Sequence, residues 1–151
     1  MLDGFASFLE KTSVALAIRD SVVLTGSLSG LHLVGMTLVG GSALVAGLAA
    51  SGTSFGKFVA SDVARATRRG IGLGVTISIG SGLLLFAPRA STAIASPYFQ
   101  FKMLLLAAAL TLHLTAIARR GERTNRWLRT FAAVLWFGVI LAGSAYILLE
   151  G

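Results

Sequence analysis

The sequence has no cysteine, so disulfides, iron–sulfur clusters and thiol chemistry are excluded. Charge is scarce: 13% of the residues are Asp, Glu, Lys or Arg, against about 25% in a soluble domain. That is too little to cover a surface facing water. No Cys, Asp or Glu falls within the long apolar runs described below. Proton and cation paths usually use such carboxylates, and their lack also leaves no Ser-His-acid or metal cluster for a hydrolase. Histidine occurs twice, as His32 and His113.

What is abundant is apolar: 55% hydrophobic residues and a mean hydropathy of +0.83. Lipid is therefore the expected solvent. In a soluble protein the net charge of +7 would suggest nucleic acid. Here it fits a membrane protein that gathers Lys and Arg in cytoplasmic loops, with no nucleic acid as partner. The 151 residues suffice for a single membrane domain.

Residues 1–18 lack the basic start of a secretory signal, because Asp3 and Glu10 stand where it should be. Leu2, Phe5, Phe8 and Leu9 recur at helical spacing, which predicts an amphipathic interfacial helix over 2–18. Arg19 and Asp20 close it, and no charge follows from Ser21 to Gly56. One span over about 20–48 is expected there, rich in glycine and serine that let neighbours approach closely. Residues 51–69 read as a basic connection. A second uncharged run, 70–88, ends at Pro88 and Arg89. Ser96-Pro97 signals a turn. A third span, about 98–118, is entered at Lys102 and stopped by Arg119 and Arg120; a fourth covers about 130–149, with Trp127 and Tyr146 as interfacial anchors. Nine of the thirteen basic residues lie in 51–69 and 119–129. The positive-inside rule then places those loops in the cytoplasm and both termini outside. The expected fold is all-α: an integral-membrane four-helix bundle in a bacterial inner membrane.

An ionisable residue within a span is a functional candidate by default. His32 follows Asp20 by twelve residues and His113 follows Lys102 by eleven, which puts both about 16–18 Å below the outer boundary. On diagonal helices of an up-down bundle, both would face the core. Two imidazoles at one level fit haem, which needs only axial ligands, better than zinc, which needs more protein donors. Gly30 and Gly35, with Ala107, Ala108 and Ala109, would leave room for a flat macrocycle, its propionates turned to Lys102, Arg19 or Arg89. The competing reading is a histidine satisfied by a hydroxyl or carbonyl of a neighbouring helix, with Ser29, Thr37, Thr76, Ser78, Thr111 and Thr115 as candidate partners.

Three segments carry a family likeness: residues 18–52, 68–87 and 96–112. With Ile18-Arg19-x-Ser21, His32-x-x-Gly35, Gly82-Leu83-Leu84-Leu85-Phe86 and Pro97-x-Phe99-x-x-Lys102, the chain resembles bacterial four-helix membrane proteins grouped as a domain of unknown function. It departs at Ala46-Gly47-Leu48, where that family usually carries Asp-Leu-Arg. More loosely, it is similar to copper-resistance membrane domains and to the haem-containing membrane protoporphyrinogen oxidase. The latter resemblance implies haem at His32 and His113.

The leading expectation is thus a small b-type cytochrome-like subunit with bis-histidine haem b. It would carry electrons between a periplasmic or outer-face redox partner and quinone or another haem. The alternative is a non-catalytic scaffold or accessory subunit of a larger membrane complex without its own cofactor. Neither expectation makes the chain a stand-alone enzyme.

Overall fold

The computed structural model of the chain describes residues 2–50, 60–118 and 122–150, and among these it is helical throughout, with no strand. The N-terminal segment forms two helices rather than one: α1 (Leu2–Glu10) and α2 (Ser13–Arg19). Thr12 breaks them apart. Its hydroxyl donates to the Leu9 carbonyl at 2.7 Å and accepts from the Ala15 N–H at 3.3 Å, ending one helix and capping the next. Asp20 closes α2, and Ser21 accepts from the Leu24 N–H at 3.2 Å to start α3 (Val22–Ala50).

α3 runs as one helix through its glycines, as a chain in lipid must keep its backbone bonds internal. α4 (Ala60–Phe86) starts ten residues earlier than the apolar run, so Arg65, Arg68 and Arg69 stand exposed on its first turns. The segment after it is also helical: a 3-10 turn (Ala87–Arg89) and α5 (Ala90–Ala95) lead to α6 (Pro97–Ala118), where Ser96 accepts from the Phe99 N–H at 3.2 Å. α7 covers Glu122–Glu150. The cationic stretches 51–59 and 119–121 lie outside the described residues.

α1, α2, the 3-10 turn and α5 pack together as a cap at the end where α3 begins. Ala6, Ala15, Ile18, Ala90 and Ala93 are buried there. Glu10 ties the layer by accepting the Ser91 N–H at 2.7 Å, at the first turn of α5. Phe5 and Phe8 point out of it, exposed.

The four long helices pack in the order α4, α3, α7, α6. Each seam is antiparallel. Between α3 and α4, Gly35 meets Ser78, Val39 meets Gly74 and Ser42 meets Gly70; between α3 and α7, Gly40 meets Ile140 and Gly47 meets Ala133; between α6 and α7, Lys102 meets Gly143 and Leu105 meets Gly138. The core, Val39, Ala43, Ile71, Ala109, Ala133, Trp136 and Val139, lies where these helices converge. α4 and α6, at the two ends of the arc, are not packed along their length. They meet where Phe86 stacks on Phe99, ring centroids 5.5 Å apart.

Large side chains such as Leu33, Leu83, Leu104 and Leu141 are more than 60% exposed. So much outward apolar surface belongs in hydrocarbon. Three stretches are long and apolar enough to cross it: Val22–Ala49, Asp62–Ala95 and Pro97–Thr115. The apolar stretch described in α7, Thr130–Ser144, is shorter.

Candidate functional site

The two histidines stand at different levels. Carrying the α3–α7 pairings across to the α7–α6 pairings puts His113 opposite about Ala49 of α3. His32 is level with the start of α6, about 25 Å away along the bundle. Counting from the last outer charge fails because the helices are staggered. α3 rises some ten residues past the start of α6, alongside the cap. The expected macrocycle slot is missing too. Gly30 faces open space on the outer surface, whereas Gly35 is closed by Ser78 and Gly74. Ala107 is exposed and Ala109 is buried in the core with Trp136. Arg19 is exposed and pairs with Asp20 at 3.3 Å, and Arg89 is exposed beside α5. The residues present therefore do not fit a haem held between His32 and His113. Among the described residues, no group of three or more His, Cys, Asp or Glu gathers to hold a metal ion.

What the fold brings together is His32 and Ser81, while Lys102 lies against α7. His32 lies on the α4-facing side of α3, half-buried, its Nδ1 3.1 Å from Ser81 Oγ. The Ser81 hydroxyl donates its one proton to the Ile77 carbonyl at 2.6 Å. Its oxygen is then the acceptor, which assigns the proton of His32 to Nδ1. The Nδ1–Cε1 edge rests on Gly82, where a Cβ would come within 3.1 Å of Cε1. Only a residue without a side chain lets the ring lie so close to α4.

Lys102 sits about a turn and a half inside α6. Its methylenes and ammonium cross the backbone of Gly143 on α7, with Nζ 3.4 Å and Cε 3.5 Å from where a Cβ would stand. Helix side chains lean toward the N-terminus, so this one leans toward the level of the start of α6. Lys102 is half-buried and makes no ion pair or hydrogen bond among the described residues. The six acidic residues of the chain, Asp3, Glu10, Asp20, Asp62, Glu122 and Glu150, all lie outside its apolar runs.

Ser81 was not among the expected partners of a histidine. Thr37, Thr76 and Thr111 were, but each donates instead to the carbonyl four residues back in its own helix. A signal for Ser81 exists in the pairs Gly35/Ser78, Val39/Gly74 and Ser42/Gly70, which share one hairpin register that carries His32 to Ser81. No family model, curated protein or solved structure matches the chain.

Proposed function

We propose that the chain is an accessory, non-catalytic subunit of a bacterial inner-membrane assembly, which holds at Lys102 an anionic group supplied from outside the chain. The observation that carries this reading is a lysine within a membrane-crossing stretch that makes no ion pair among the described residues. An ammonium in low dielectric is costly without a counter-charge. The apolar runs contain none, and in this reading lipid or a neighbouring protein provides it. In this reading α7 completes a fourth span, the basic loops face the cytoplasm and both termini face outward.

The test is purification from native membranes in mild detergent, comparing wild type with Lys102→Met. Wild type should retain an anionic companion, lipid or acidic membrane protein, that the variant loses. Identical companions in both would contradict the reading. So would a Soret band in the wild type that disappears in both His32→Ala and His113→Ala.

A further inference from the structure

We infer that the lipid-facing belt of the bundle is oblique, so that the surface fits a bilayer crossed at a lean and not upright. This holds whatever Lys102 binds. The first support is a step at the end opposite the cap. In α4 the uncharged run begins after Arg69, and Arg65, Arg68 and Arg69 are exposed. The pairing of Gly70 with Ser42 puts Arg69 level with about Ala43 of α3. The pairings through α7 carry Ala118, the last residue of α6, beyond the level of Ala50, the last residue of α3. Arg69 therefore stands about 15 Å short of the end of α6 along the bundle. Upright, it would lie deep in the hydrocarbon that α6 crosses, where charge is costly.

The second support is a step at the cap end. α3 starts some ten residues above the start of α6. Its first residues, Val22 and Val23, are 89% and 76% exposed, and upright they would stand in water above a membrane matched to α6. Both steps run in one direction, so the apolar belt of α3 and α4 is displaced as a whole toward the cap. Local thinning of the bilayer would answer steps that run toward each other; leaning answers two that run the same way. Helix length is the third support. Val22–Ala49 has 28 residues and rises about 42 Å, against a hydrocarbon core of about 30 Å. Tilting is one way an over-long helix fits. The same lean lowers the cap, which packs on α3 and α4. It brings the exposed Phe5 and Phe8 to the headgroup zone, where aromatic rings are favoured.

The experiment is a depth scan of the full chain in vesicles of phosphatidylcholine and phosphatidylglycerol. Single spin-labelled cysteines replace Leu73, Ile79 or Leu83 on α4 and Leu104, Ala107 or Thr111 on α6, all at exposed positions. Power saturation with oxygen and a nickel chelate gives the depth profile of each helix. A leaning bundle is deepest at about Ile79 on α4 and about Ala107 on α6, levels that lie about 12–15 Å apart along the bundle. In an upright bundle the two maxima share one level, as Leu73 and Leu104 do. An α4 maximum nearer the cap by about 8 Å or more supports the inference. A smaller offset, or one in the other direction, overturns it. Each profile rests on several positions, so it stays readable if one variant fails to fold.

Discussion

At the scale of single residues, the chemistry turns on where one serine proton goes. Ser81 gives it to the Ile77 carbonyl and so receives that of His32. Ser81→Ala removes the acceptor without removing the ring. Hydrogen bonds between membrane helices are worth about 0.6 kcal/mol on average. Unfolding in mixed micelles should therefore find Ser81→Ala less stable by roughly that amount, rising toward about 1.5 kcal/mol if Nδ1–H is left unpaired. Lys102→Met should act in the opposite direction. In zwitterionic micelles, where no counter-anion is on offer, it removes a half-buried charge with no partner among the described residues and should stabilise the chain by about 1 kcal/mol. Anionic lipid should shrink that gap by stabilising wild type alone. That His32 and Lys102 matter could be read from the sequence, because each is a polar group where polar groups are costly. Ser81 could not be singled out, since every hydroxyl in a helix has its own carbonyl four residues back within reach, and most use it.

At the scale of elements, the α3–α4 seam is set by small residues. A Cβ on Gly74 would fall 2.6 Å from the Gly35 carbonyl oxygen and 2.8 Å from the Val39 nitrogen, both backbone atoms. Gly30 has nothing within 4 Å. Gly74→Leu should thus destabilise by about 3 kcal/mol or prevent folding, whereas Gly30→Leu should stay within about 0.5 kcal/mol. Equal effects, measured by unfolding in micelles, would show that the seam is elsewhere. The apolar runs made α3 and α6 legible almost to the residue: about 20–48 and 98–118 expected, Val22–Ala50 and Pro97–Ala118 found. α4 was less legible. Charge ends a span, but it does not end a helix, and Arg65, Arg68 and Arg69 simply continue α4 outward. The interfacial segment split in two because Thr12 is a better cap than a helix interior residue.

At the scale of the molecule, the cap decides what the bundle can do. It lets α3 begin well above α6, and that stagger takes His32 away from His113 and to the level of the start of α6. Sequence counts give position along a helix. They give no information on the offset between helices, which depends on how the linking segments fold. The absence of native cysteine makes placement easy to test with introduced ones. Ser91→Cys, in α5, should react with an impermeant maleimide in intact cells, and Ser54→Cys, in the basic connection, only after permeabilisation. The reverse pattern would invert the orientation proposed from the basic loops. The stagger itself is the most direct target. Spin labels on Leu31→Cys and Leu114→Cys, both on exposed positions next to the histidines, should give a double electron–electron resonance distance centred at about 30 Å or more. A distance below about 20 Å would bring the histidines back to one level and contradict the account.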